Sequence, residues 1–253
     1  MQVNRSNAVI VGGASGFARA TAELLAARGA TVAILDRAGT AGPEVAEQLG
    51  GTFHELDVLD AEGTEVALNA AADAMGGFHI AVNTPGGGVA KRTIGKDGPH
   101  PLDDFRGVIE LNLIATFNLD RLEAWIMSKN EPDEEGERGV IINTSSIAAF
   151  EGQIGQVAYT AAKAGIAGMS LVMARDMGSL GIRVNAIAPS LFATGLAQNI
   201  NPEFEAALTK DAAFPRRMGK ADEYAKLAVA IVENPMLNGG TIRLDAGTRF
   251  SAK

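Results

Sequence analysis

The chain has no cysteine, which removes disulfides, thiolate metal ligands and thiol nucleophiles from consideration. Histidine is nearly as scarce. His54, His79 and His100 stand far apart with no metal-ligand spacing between them, so no metal is expected. Positive charge is in the minority: 22 basic residues face 30 acidic ones, a net charge of −8. That balance argues against a broad nucleic-acid surface or an anionic-membrane surface. No apolar run reaches membrane-spanning length. No basic-then-apolar leader precedes the first strand-like segment at Ala8, so the expectation is a cytoplasmic protein. Aromatic residues make up only 5%, with two tyrosines in the whole chain.

What remains is the composition of an ordinary globular protein, 47% hydrophobic and 21% charged over 253 residues. Short apolar runs alternate with longer helix-patterned stretches from end to end, the mark of strand-helix-strand units on a parallel sheet. Seven strands are predicted: Ala8 to Val11, Thr31 to Leu35, Thr52 to Glu55, Ile80 to Asn83, Val140 to Thr144, Arg183 to Ala188 and Thr241 to Leu244. Right-handed crossovers then place helices on both faces of one seven-stranded sheet. The fold class is therefore α/β, a doubly wound single domain over residues 1–253. Two segments interrupt the rhythm and read as loops, Thr93 to Pro101 and Asn130 to Arg138.

Directly after the first strand comes Val11-Gly-Gly-Ala-Ser-Gly-Phe-Ala18, which leads into a helical run. Glycines there permit a tight turn and let backbone amides approach a pyrophosphate at a helix N-terminus. This assigns Gly12, Ser15, Gly16 and Phe17 to a dinucleotide; a purely structural strand-to-helix turn is the competing reading. Asp36 stands twenty residues beyond Gly16, at the end of the second strand. A carboxylate in that position accepts the two ribose hydroxyls of an adenosine and repels a 2′-phosphate, which favours NAD over NADP. Arg37, next to it, is the one residue that blurs the choice. Asp57 and Val58, after the third strand, are placed to meet the adenine.

Of the two tyrosines, Tyr224 is followed four residues later by Ala228 and Tyr159 by Lys163. Helical spacing puts the Tyr159 phenol and the Lys163 ammonium on one face. Bringing a phenol from about 10 to neutrality takes roughly 4 kcal/mol of preference for the phenolate. A fixed cation is expected to supply much of that, making Tyr159 a base for an alcohol proton. The alternative is an aromatic packed at a helix edge beside a solvated lysine.

With the glycine turn, Asp36, Asp57, Asn112, Ser146, Tyr159 and Lys163 in this order, the chain resembles the short-chain dehydrogenase/reductase family over its whole length. The resemblance implies a Rossmann-type domain that binds a nicotinamide cofactor and interconverts alcohols and ketones. It implies catalytic roles for Ser146, Tyr159, Lys163 and Asn112, with Asn112 expected to hold a backbone carbonyl. It further implies cofactor contacts from Asn83, Pro85, Pro189, Leu191 and Thr194, and substrate contacts from Ser146, Gln153, Gln156 and Tyr159. For Thr194, bonding the carboxamide and serving as an ordinary loop hydroxyl both stay open. Ser145 reads as a strand-end cap.

The motifs Asn130-Glu-Pro-Asp133, Ala149-Phe-Glu-Gly-Gln-Ile-Gly-Gln156 and Glu233-Asn-Pro-Met-Leu-Asn238 are similar, within that family, to the type-2 3-hydroxyacyl-CoA dehydrogenase group. This implies oxidation of (S)-3-hydroxyacyl-CoA with NAD, and of hydroxysteroids. A 3-oxoacyl thioester reductase, a polyol dehydrogenase and a non-catalytic NAD sensor are the alternatives. Two departures from the family pattern stand out. Thr84-Pro85 replaces Asn/Cys-Ala in the loop lining the adenosine ribose, and Ser190 replaces a glycine near the nicotinamide. Residues 190–218 read either as a substrate lid, with apolar Leu196, Ile200, Phe204, Leu208 and Phe214 and cationic Arg216 and Arg217, or as an amphipathic surface helix. Family members commonly form tetramers, so a homotetramer through residues 156–177 and 241–246 is implied. The partner is a small-molecule substrate, with no nucleic acid and no membrane.

Overall fold

The computed structural model describes residues 1–195 and 201–252. Its elements run β1 (Asn7–Val11), α1 (Gly16–Ala27), β2 (Thr31–Asp36), α2 (Gly42–Gln48), β3 (Thr52–Glu55), α3 (Ala61–Met75), β4 (Ile80–Asn83), β5 (Ile94–Gly95), β6 (Gly98–Pro99), α4 (Leu102–Ile109), α5 (Ala115–Met127), β7 (Gly139–Thr144), α6 (Val157–Met177), β8 (Ile182–Pro189), α7 (Pro202–Leu208), α8 (Ala221–Glu233) and β9 (Thr241–Leu244). All seven expected strands form, within one residue of the bounds read from the sequence. They pair in the order β3-β2-β1-β4-β7-β8-β9, parallel throughout.

The strands are legible because a parallel sheet is covered on both faces and each strand becomes a near-continuous apolar run. β8, Ile-Arg-Val-Asn-Ala-Ile-Ala-Pro, is buried at every position. One core packs Ala22 and Leu25 of α1, Val45 of α2 and Tyr224 and Val229 of α8 against Ile10, Ile34 and Ile142. The other packs Leu68 and Ala71 of α3, Leu119 and Met127 of α5 and Met173 of α6 against Val9, Leu35 and Ile141. Each fully buried Val, Ile or Leu contributes about 1.5–3 kcal/mol. Arg183, on β8, is buried as well. It donates to Glu137 Oε1 at 2.7 Å and to the carbonyls of Ile231 and Val232 at 2.8 and 2.9 Å, which ties the end of α8 to the sheet.

Three features differ from the sequence reading. Within the expected loop 93–101, β5 and β6 form a minimal antiparallel hairpin, Ile94 opposite Pro99 and Gly95 opposite Gly98, with Gly98 at φ +138. Between α4 and α5 the helix widens into a π turn, Glu110–Ile114, which carries Asn112. The stretch Val157–Leu180, α6 and the short turn after it, has mean hydropathy 1.3 over a window long enough to cross a membrane, contrary to the expectation that no run reaches that length. Here it forms a layer against β8 and carries the buried Lys163.

The sheet order reverses between β1 and β4: β2 and β3 lie to one side, β7, β8 and β9 to the other. In such sheets ligands bind at that reversal, beyond the carboxyl ends of the strands. Register brings those ends into one line, with Val11 opposite Leu35 and Asn83, Asn83 opposite Asn143, and Thr144 opposite Ile187.

Candidate active site

A cleft of about 650 Å³ opens along that line, from Asp36 at one end to Tyr159 at the other. Its floor at the β1 end is the glycine turn. Gly12 and Gly16 adopt φ +81 and +57, values that L side chains rarely accept. A Cβ on Gly12 would fall 2.5 Å from Thr84 Oγ1, so the turn is pressed against the loop after β4. Asp36 is oriented from both sides: its Oδ2 accepts from Ala14 N at 2.9 Å and its Oδ1 from Arg37 N at 2.8 Å.

At the other end, Tyr159 and Lys163 occupy successive turns of α6, with the Lys163 Nζ 5.7 Å from the Tyr159 ring centroid. Lys163 is 2% exposed and donates to the Thr144 carbonyl at 2.8 Å. Ser146 follows β7, where its Oγ accepts from Ala148 N at 3.1 Å and hydrogen-bonds the Tyr159 phenol. Ser145 points the other way and donates to the Lys163 carbonyl at 2.8 Å, holding α6 to the sheet. Asn112 donates to the carbonyls of Gly87 and Val108, both at 2.8 Å, and accepts from Gly87 N at 3.3 Å. It therefore does bind a backbone carbonyl, and through Gly87 it shapes a wall of the cleft.

The electrostatics correct one expectation. Burial pushes the Tyr159 phenol above its usual value, and the Ser146 hydrogen bond only partly opposes it. Burial also brings Lys163 down to about 8. Proximity to the ammonium alone does not make Tyr159 a neutral-pH base, because the lysine is desolvated along with the phenol it was expected to help.

Comparison with known proteins places this geometry. The family model for short chain dehydrogenases matches residues 6–205. The chain belongs to the short-chain dehydrogenase family. This short-chain dehydrogenase is an oxidoreductase of CH–OH groups and uses a nicotinamide dinucleotide. A 3-hydroxyacyl-CoA dehydrogenase type-2 of Bos taurus is 48% identical over 247 residues, 96% of this chain and 95% of that protein. A crystal structure of a 3-hydroxyacyl-CoA dehydrogenase type-2 from Mycobacterium avium superposes with a TM-score of 0.94 at 39% identity, covering all of both chains. A 7α-hydroxysteroid dehydrogenase complexed with NADH and 7-oxo glycochenodeoxycholic acid matches with a TM-score of 0.87 at 28% identity, over 100% of this chain and 97% of that one.

The residues fit such a cofactor. The glycine turn opens at a helix N-terminus, and Gly86 and Gly88 leave room that side chains would close: a Cβ on Gly86 would lie 2.9 Å from Asn112 Oδ1, and one on Gly88 3.1 Å from the Tyr159 ring. Of the expected contacts, Gly12, Ser15, Gly16, Phe17, Asp36, Asp57, Val58, Pro85, Pro189 and Thr194 all line the cleft with Ser146, Tyr159 and Lys163. Ser190 lines it too.

Four of the expected residues are not among those lining the cleft. Asn83 does not reach the cleft; it is buried, with its amide turned toward Asp120, Glu123 and Asn143. Leu191 is not among the lining residues; its carbonyl accepts from Gly219 N beside the bridge between residues 192 and 219. Gln153 lines a separate groove with Lys91 and Arg92. Gln156 caps α6, and its Oε1 accepts from Gln153 N at 3.0 Å. In the lid segment, residues Leu196 and Ile200 and the Phe204 side chain lie outside the described residues. Arg217 is paired with Glu223, and Lys91 with Asp104.

Two contributors were missed by the sequence reading. Tyr224 stacks on Phe17 (centroids 4.5 Å apart, 20° between planes), and its hydroxyl pairs with Thr144 Oγ1 at 2.8 Å. Thr144 anchors Lys163 by its carbonyl, a backbone role that no residue type signals. The run Gly86-Gly87-Gly88 was a readable signal for the close approach there.

Proposed function

We propose that this short-chain dehydrogenase oxidises (S)-3-hydroxyacyl-CoA thioesters to their 3-oxo forms with NAD, hydroxysteroids being a second substrate class. The observation that carries the proposal is that Asp36 and the Ser146, Tyr159 and Lys163 group line one cleft beyond the carboxyl ends of the strands. Near-full-length identity to proteins named for 3-hydroxyacyl-CoA supports the substrate class. The Asp36 carboxylate supports NAD, because a 2′-phosphate beside it would meet like charge.

In the oxidative direction the Tyr159 oxygen takes the substrate hydroxyl proton. Ser146 hydrogen-bonds the same substrate oxygen and keeps it within reach of the phenolate. Lys163, fixed by Thr144, supplies positive charge as the phenolate forms. Gly12, Gly16, Asp36 and Lys163 would hold the nicotinamide cofactor, which would supply the hydride acceptor for the carbinol hydrogen. Asn112 holds Gly87 and so keeps the wall of the cleft in register.

The test is turnover of 3-hydroxybutyryl-CoA and longer homologues with NAD and, separately, NADP. The expected outcome is NADH formation with little or none from NADP. A strong preference for NADP would shift the reading to a reductase of 3-oxoacyl thioesters. Tight NADH binding without turnover of any secondary alcohol would make the chain a sensor. We also propose a homotetramer, supported by exposed Val157, Leu171 and Val172 along α6; sedimentation as a monomer would refute it.

A further inference from the structure

Directly beneath the cleft, two carboxylic acids lie in the dry interior with no cation to balance them. Asp120 and Glu123 project from α5, and both are fully buried. Asn143 Nδ2 donates to Asp120 Oδ2 at 2.8 Å. Asn83 Nδ2 faces three acceptors at once: Glu123 Oε2 at 2.9 Å, and Asp120 Oδ1 and Asn143 Oδ1 at 3.2 Å each. An amide nitrogen carries two hydrogens, so one of those acceptors lacks a donor. Glu123 Oε1 and the Asn83 side-chain oxygen Oδ1 are buried with no partner at all. Two ionised carboxylates side by side in such a setting would be prohibitively costly. A single proton shared between them relieves both the missing donor and the doubled charge.

The surroundings offer no other source of balance. β4 (Ile-Ala-Val-Asn) and β7 (Gly-Val-Ile-Ile-Asn-Thr) present no titratable side chain, and His79 stands at the opposite end of β4. On α3, Glu62, Glu65 and Asp73 are exposed. On α5 itself, Arg121 is exposed and bonded to Asn118. Lys163 of α6 is committed to the Thr144 carbonyl. Among the described residues neither acid forms an ion pair.

The two amides that the acids hold are the last side chains before the cleft. Asn83 is followed by Thr84, Pro85 and Gly86 of the cofactor wall; Asn143 is followed by Thr144, which anchors Lys163. Asn83 and Asn143 are register partners, and Thr144 Oγ1 donates to the Asn83 carbonyl at 2.8 Å.

We propose that Asp120 and Glu123 share one proton and act as positioning residues, a proton-dependent clamp that fixes the ends of β4 and β7 under the active site. Burial raises the pKa of both acids, and the Asp120 charge raises Glu123 further. The folded protein therefore holds a proton that the unfolded chain releases near the ordinary carboxylate range. Stability is fully present below that range and is lost as pH rises through the raised values.

The experiment compares wild type with Glu123→Gln, which keeps the oxygen that accepts from Asn83 and replaces the partnerless one by an amide nitrogen. Melting temperature is followed from pH 5 to pH 9, together with the dissociation constant for NADH by fluorescence. The two proteins are expected to melt within about 2 °C of each other at pH 5, with the variant melting about 5 °C or more above wild type at pH 8.5. NADH affinity is expected to fall with pH more steeply in wild type than in the variant; Lys163 titrates in both proteins and cancels from that difference. A gap between the melting curves that stays constant with pH overturns the proposal, since a merely structural role gives that result. Asp120→Asn is the second variant. Should neither fold, the infrared carbonyl stretch of a protonated carboxylic acid in wild type at pH 7 decides: its presence supports the shared proton, and its absence overturns it.

Discussion

Replacing Lys163 with methionine keeps the length and burial of the side chain and removes only the charge and its hydrogen bond to Thr144. The ammonium lies 5.7 Å from the Tyr159 ring centroid. At an effective dielectric of about 20, that separation corresponds to about 3 kcal/mol between an ammonium and a phenolate, or about 2 pKa units. Burial sets Lys163 at about 8 and holds Tyr159 above its ordinary value, so the first proton leaves the pair near 8. The state left behind includes the phenolate-ammonium form that oxidation requires, and the apparent value belongs to the pair. In wild type, kcat/KM for alcohol oxidation should therefore rise through pH about 8. In Lys163→Met the rise should move above about 10, where the tyrosine ionises unaided, with a loss of about 100-fold at pH 8 that narrows as pH increases. The assay is the pH profile of kcat/KM between pH 6 and pH 10.5 with 3-hydroxybutyryl-CoA and saturating NAD. A fall of less than about tenfold with the limb unmoved would show that Lys163 only binds ligand and leaves the phenol untouched.

Asp36→Ser should raise KM for NAD about tenfold, the loss of one charge-assisted hydrogen bond. It should also lift kcat/KM with NADP by removing like charge from the 2′-phosphate; an unchanged NAD/NADP ratio would place the ribose elsewhere. Arg183→Met leaves Glu137 Oε1 buried without its partner, with only the Met1 ammonium on Oε2 at 2.9 Å, and frees the carbonyls at the end of α8, so urea unfolding should show a loss of about 3 kcal/mol. A loss below about 1 kcal/mol would mean that water reaches Glu137.

The parts of this protein that its sequence discloses are those where backbone geometry restricts residue type. A parallel strand covered on both faces has to be apolar along its length, and all seven appeared within a residue of their expected bounds. A turn with φ near +81 calls for glycine, so Gly12 announces itself. Tyr159 and Lys163 are visible because one helix carries both. What stayed hidden depends on contacts made across the fold. The cation that was expected to lower the phenol pKa is itself desolvated, and only the packed structure reveals that burial. The π turn at Asn112 leaves the helical pattern intact around it.

The direction of the Asn83 side chain is instructive, and strand parity explains it. Successive residues of a strand alternate faces, so Asn83 shares the face of Ala81, just as Asn143 shares that of Ile141. Ala81 and Ile141 belong to the core beneath α3 and α5, whereas Val82 and Ile142 belong to the core beneath α1 and α8. Asn83 is therefore directed at α5 and away from the cofactor. A matching clue sits on α5, where two acids, Asp120 and Glu123, interrupt the buried row of Leu119, Leu122, Ile126 and Met127. Acids inside an apolar helical face require partners, and the only polar side chains that parity delivers there are those of Asn83 and Asn143. Reading the strand parity against the polar breaks in the helix thus assigns Asn83 to the carboxyl pair, and its link to catalysis runs through the backbone it holds in place.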